Sequence, residues 1–200
     1  MSLVDGAALA VLDTETTGFD PAQGHEIIEV ACVQLDASEI ADTWSTLVRP
    51  GRTIPLGAVA VHGITDVMMY SAVRPEEAAV EVVRRCTGRT LVFHHAAFDL
   101  PFLSALLRKS GQPPLWNPVV DTLGLARGLS DTGSHSLGAL AARFGLPPER
   151  AHRALGDALT TARLLLVLAS RWEEAGRART IAELAAASQD VLRLPNRRSS

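Results

Sequence analysis

Lysine is almost missing from this chain: Lys109 stands alone among the basic residues, and every other one is arginine. That bias reflects GC-rich coding rather than function. A positive charge excess is missing too. The formal net charge of −3 excludes the long basic surface of a protein that coats nucleic acid. It leaves room for one that grips only the end of a strand. A cluster of carboxylates would itself lower the net charge, and a bound metal would offset it locally. Cysteine is scarce. Cys32 and Cys86 lie far apart in apolar stretches, without metal-ligand spacing, and read as free buried thiols. With the histidines scattered as well, no zinc set is apparent. No apolar run is long enough to span a membrane, and no secretory signal or internal repeat is visible. The expectation is a reducing, cytoplasmic setting with no membrane partner.

What is present is a globular composition, 47% apolar and 20% charged over 200 residues, enough for one domain with a single core. The division expected is a domain over 1–176 and a C-terminal helical piece with a frayed tail over 177–200. Residues 8–13 form a short buried strand. "HEIIEVACVQLD" and "EIADTWSTLVRP" are rich in β-branched residues and partly alternate, so they predict two strands joined at Ala37-Ser38. "GAVAVHGIT" predicts a helical turn. "RPEEAAVEVVRRCTG" predicts a helix from Pro75 to a stop at Gly88. "TLVFHH" reads as a buried strand, and "FDLPFLSALLRKSG" as a helix with Pro101 in its first turn. "NPVVDTLGLAR" is a strand ending near Asp121 that passes into a helix. "HSLGALAARFG" and "GDALTTARLLLVLASRWEEAG" are two more helices, and "TIAELAAASQ" a last helical piece. Strands followed by alternating helices and strands predict an α/β domain with a mixed five-stranded sheet. Its first three strands are antiparallel, the last two parallel, and helices flank it.

Acids end three of the apolar elements. Asp13 and Glu15, in "AVLDTETTGFD", are i and i+2 on an extended strand and so face one side. Asp99 follows "TLVFHH", and Asp157 opens the longest helix. Taken singly, each also fits strand-end solvation or the charge preference of a helix N-terminus. In open α/β sheets, however, sites gather at the carboxyl ends of strands. Carboxylates that converge there repel one another unless cations intervene. Mg²⁺ and Mn²⁺ prefer such oxygens, and two ions roughly 3.5–4 Å apart can drive phosphodiester cleavage. His152, five residues before Asp157, has an imidazole suited to general-base work near neutrality.

"DTETTG", "HHAAFDLPFL" and "HRALGDA" together resemble the three motifs of the DEDDh branch of the DEDD 3′–5′ exonucleases, with the nearest likeness to the proofreading epsilon subunits of bacterial replicative DNA polymerases. "VHGIT", "DTLGLAR" and "SHSLGALAARFGLP" extend the resemblance over Leu9 to Leu168. It implies an RNase H-like fold and two-metal hydrolysis that releases nucleoside 5′-monophosphates. By position, Asp13, Glu15 and Asp157 would hold the first Mg²⁺ or Mn²⁺, Asp13 and Asp99 the second. His152 would deprotonate the attacking water. Thr16, Thr17 and Gly18, with His62, His95 and Phe98, would surround the terminal nucleotide. Gly18 would permit the tight turn that follows. One position departs from the pattern: the family has His-Asn where this chain has His94-His95.

The substrate implied is a single-stranded or frayed DNA 3′ end. RNA 3′-end trimming is the rival within the same chemistry, because nothing in the sequence reads a 2′-hydroxyl. A non-catalytic scaffold of the same fold is the rival outside it, and the intact acids and histidine argue against that. A polymerase subunit is the protein partner implied. "QDVLRL", Gln189 to Leu194, loosely resembles peptides that dock on the sliding clamp, and an ordinary helix end explains it more economically.

Overall fold

The computed structural model describes residues 3–130 and 132–193. Five strands, β1 (Ala8–Thr16), β2 (Ile27–Asp36), β3 (Glu39–Leu47), β4 (Thr90–Phe93) and β5 (Val119–Asp121), form one sheet in the order β3-β2-β1-β4-β5. β1 pairs antiparallel with β2, and β2 with β3, whereas β4 runs parallel to β1 and β5 parallel to β4. This is the mixed sheet that the strand order implied. The first strand runs past its expected end at Asp13, so Asp13 and Glu15 both lie inside regular pairing, opposite Ala31 and Glu29. A register shift follows immediately, between Glu15 and Thr16.

The helices are α1 (Leu56–His62), α2 (Pro75–Cys86), α3 (Ala96–Lys109), α4 (Thr122–Leu129), α5 (Leu137–Arg143), α6 (Ala154–Glu174) and α7 (Ile181–Arg193). Strand periodicity divides the core between the two faces of the sheet. Leu9 and Val11 of β1 pack with Ala158, Ala162, Leu165 and Trp172 of α6. Ala10 and Leu12 pack on the other face with Val82 of α2 and Phe102 and Leu103 of α3. By the same alternation Asp13 and Glu15 belong to the α6 face, and Thr14 to the α3 face. Cys32 and Cys86 are buried and free, and burial pushes the Cys32 thiol up to about 12. No helix among the described residues is long and apolar enough to cross a membrane.

One local expectation is corrected. Pro101 lies in the interior of α3, not in its first turn. The helix starts earlier because the buried Asp121 carboxylate accepts hydrogen bonds from the His95 and Ala96 amides, at 3.0 and 2.8 Å. Those are donors that a helix start otherwise leaves unpaired. Ser136 caps α5, its hydroxyl accepting from the Ala139 amide.

Beyond residue 176, α7 packs on α4 and β5. Its buried Ser188 hydroxyl accepts from the Asp121 amide at 3.0 Å and donates to the Ala185 carbonyl at 2.8 Å. Gln189 to Arg193 continue α7, with Val191 against the core. Leu194 and the expected frayed tail lie outside the described residues. The α4–α7 approach is close enough that a Cβ on Gly124 would sit 2.0 Å from the Ser188 carbonyl oxygen. Gly124→Ala should therefore destabilise the protein by about 1–3 kcal/mol through overpacking, read as a lower midpoint of urea unfolding.

Candidate metal and nucleic-acid site

The site is built at the carboxyl end of β1. Asp13 and Glu15 project from the strand toward α6, and Asp157 sits in the first turn of that helix. One oxygen from each of these three carboxylates lies within 4.8 Å of the other two. All three are partly buried. Desolvation first, and then the charges of Asp99, Asp157, Glu15 and Glu29, hold the Asp13 carboxyl well above the usual range. Burial and the charge of Asp157 raise Glu15 to about 8. Burial raises Asp157, partly opposed by the His152 amide that donates to it. A set of hard oxygen donors that resist ionising together fits a divalent cation such as Mg²⁺ or Mn²⁺.

Asp99 stands apart from that trio. It is 4% exposed and comes from α3, on the opposite face of the sheet, where the Thr14 hydroxyl donates to its Oδ1 at 2.7 Å. Burial raises Asp99 to about 7 against that hydrogen bond. Its charge nevertheless reaches Asp13. It also reaches Glu15.

His152 lies on the exposed loop before α6, in the left-handed region at φ 56°. Its amide donates to Asp157 Oδ2 at 2.9 Å, so the conformation that displays the imidazole is tied to a candidate ligand. Arg153, the next residue, makes a two-armed ion pair with the buried Glu29 of β2.

The nucleotide-facing residues divide. Thr17 is 1% exposed. Its hydroxyl accepts from the Glu26 amide at 3.0 Å and pairs with His25 Nδ1 at 3.2 Å. The Thr16 hydroxyl donates to the Gly18 carbonyl at 2.6 Å. Both side chains are therefore occupied in shaping the turn. Gly18 does not have a positive φ. Its missing Cβ makes room for the His25 ring, which would lie 2.3 Å from it. This replaces the turn-flexibility reading of that glycine. His62 is buried, and its Nδ1 accepts from the Ile64 amide at 3.0 Å. The proton of the neutral ring then resides on Nε2, which is buried without a hydrogen-bond partner. Burial lowers the His62 pKa, opposed by the charge of Glu29. Phe98 is half-buried, its ring 5.4 Å from that of Phe102.

His95 caps α3 in the left-handed region at φ 78°, and its side chain is exposed. Asparagine and histidine are among the few residues enriched there, which explains why histidine can stand where the family has asparagine. His94 bridges Thr122 Oγ1 and the His135 carbonyl, at 2.8 and 3.0 Å.

Thr14, Glu29, Asp121 and Arg153 escaped the sequence reading. Each acts through a partner far along the chain. The available signal for Glu29 was its place: it interrupts the apolar run that opens β2.

The Exonuclease (RNase_T) family profile matches residues 10–165. A DNA polymerase III subunit epsilon of Treponema pallidum is 39% identical over 154 residues, covering 76% of this chain and 71% of that protein. A PolC-type DNA polymerase III of Thermotoga petrophila is 38% identical over 165 residues, which are 82% of this chain and only 12% of that protein. The chain thus spans a small part of the first curated relatives it matches. Among solved structures, exonuclease X in complex with 5′-overhanging duplex DNA superposes with a TM-score of 0.70 at 30% identity, covering 90% of this chain and 99% of that one. With that profile matched over most of its length and a relative 39% identical, the chain belongs to the exonuclease family.

Proposed function

We infer that the protein is a metal-dependent 3′–5′ exonuclease that removes nucleoside 5′-monophosphates from DNA 3′ ends. The observation that carries this reading is the meeting of Asp13, Glu15 and Asp157 oxygens within 4.8 Å, in a chain of the exonuclease family. Asp13, Glu15 and Asp157 would hold one Mg²⁺ or Mn²⁺, and Asp13 with Asp99 a second. When bound, such ions stabilise the charge that develops as a phosphodiester breaks. His152 takes the proton of the attacking water, its exposed loop leaving the ring free to reach a substrate. The His62 Nε2–H offers a buried donor to the terminal nucleotide. Phe98 and the backbone from Thr16 to Gly18 flank that nucleotide, with His95 at the rim. Relatives named as DNA polymerase III subunits support a proofreading setting with a polymerase subunit as partner.

The deciding experiment digests matched DNA and RNA oligomers, labelled at the 3′ or 5′ end, with Mg²⁺, Mn²⁺ or EDTA. Loss of the 3′ label first, only with metal and faster on DNA, is expected; faster digestion of RNA would favour 3′ trimming instead. Asp13→Ala and Asp157→Ala should each lower the rate by about 10³-fold or more while the folded far-UV spectrum is retained. His152→Ala should lower the rate by about 10²–10⁴-fold with Mn²⁺ binding kept. An unchanged rate across neutral pH in that variant would remove the base from this account.

Stability gives an independent check. Without metal, folded Glu15 keeps its proton up to about 8, whereas an ordinary glutamate releases it near 4.5. The folded state holds the extra proton between those values, so this stabilisation is present in acid and is lost as pH rises. Glu15→Gln should therefore flatten the decline of the unfolding midpoint in EDTA between about pH 5 and about pH 8. Mn²⁺ should raise the midpoint most at the upper end, where the carboxylates are ready to ionise.

A further inference from the structure

Glu29 is a fifth acid beside the cluster, yet it is unlike the other four. It stands directly opposite Glu15 in the β1–β2 register and so projects from the same face. It is 4% exposed. Both of its oxygens are engaged: Oε1 by Arg153 Nη2 at 2.5 Å, and Oε2 by Arg153 Nε at 3.0 Å and the Ala154 amide at 2.9 Å. Three donors on one carboxylate leave it little capacity to bind a cation of its own.

Arg153 is the reason for such an arrangement. It is the residue between His152 and the first turn of α6, and its charge already reaches Glu15. A guanidinium placed there has two carboxylate destinations. One is Glu29. The other is the trio that would hold a metal, which presents the same planar oxygen pairs that arginine prefers. An arginine paired with Glu15 or Asp157 would supply internally the positive charge that the site needs from an ion, and would compete with it.

We propose that Glu29 is a positioning residue that keeps the Arg153 guanidinium off the Asp13–Glu15–Asp157 cluster, and so keeps the cluster available to a divalent cation. The inference rests on the metal reading of that cluster. The Ala154 bond adds a second constraint, since the carboxylate that neutralises Arg153 also anchors the start of the helix carrying Asp157. Removing the charge of Glu29 while keeping its shape leaves Arg153 without its counter-ion and free to turn to Glu15. Removing Arg153 as well takes the competitor away.

Calorimetric titration of the full chain with Mn²⁺ tests this, with unfolding midpoints as a folding control. Wild-type binding that Asp13→Asn abolishes is the reference; absence of wild-type binding overturns the metal reading and this one with it. Glu29→Gln should weaken Mn²⁺ binding by about tenfold, the scale of outer-shell substitutions at metal sites. The double variant Glu29→Gln/Arg153→Gln should return to within about twofold of wild type. A single variant that binds as wild type, or a double variant as weak as the single, overturns the proposal. Should Glu29→Gln fail to fold, Arg153→Gln alone carries the test: with no competitor left to hold off, it should bind Mn²⁺ at least as tightly as wild type, to within about twofold, and weaker binding is the contrary result. A purely structural ion pair predicts instead that Arg153→Gln alone weakens Mn²⁺ binding and that the double variant stays as weak as the single ones.

Discussion

Carboxylates crowded at the end of β1 repel one another, and the containment of that repulsion organises everything around them. Burial makes it worse, because ionised oxygens lose water before they gain partners. The protein answers in three ways. The Thr14 hydroxyl supports Asp99 on one face of the sheet. The His152 amide supports Asp157 on the other. Arg153 neutralises Glu29 beside them. Among the described residues no side chain pairs with Asp13 or Glu15 in this way, the charge of Arg153 opposes only part of the rise at Glu15, and their raised pKa values express that deficit. A divalent ion is the complement that such a donor set fits.

Backbone donors at helix starts are the second device. Asp121 accepts from the amides of His95, Ala96 and Leu123 and so fixes the starts of α3 and α4 together. Glu29 does the same for Ala154 at the start of α6. Each of these two buried acids sets a helix that carries a candidate metal ligand, Asp99 or Asp157. Satisfying a helix N-terminus from another element couples the position of that helix to the sheet. Behind Asp121, Ser188 of α7 accepts from its amide, so the last helix belongs to the same chain of support.

Much of this was legible beforehand, for local reasons. Alternation in β1 put Asp13 and Glu15 on one face, and apolar runs marked the five strands. Three motifs in order singled out Asp99, His152 and Asp157. Legibility failed where a residue's role depends on a distant partner. Gly18 read as a turn residue, because the His25 ring lying against it arrives from another segment. Thr17 read as a nucleotide contact, because nothing local reveals that the Glu26 amide and His25 occupy its hydroxyl. The asparagine-to-histidine departure at His95 became intelligible only once its left-handed backbone was known.

The sequence by itself determined which chemistry was available: hard oxygen donors at strand and helix ends, a histidine before the longest helix, and a mixed sheet to carry them. Strand parity and helix periodicity are local properties, so they can be read without coordinates. Tertiary structure alone decided that Asp13, Glu15 and Asp157 meet from one face while Asp99 approaches from the other, and that Glu29 faces the cluster yet belongs to Arg153. Those relations depend on register between strands and on the packing of α3 and α6 against opposite sides of β1. Both are long-range quantities, set by burial and by unpaired backbone donors, and no single stretch of the chain encodes them.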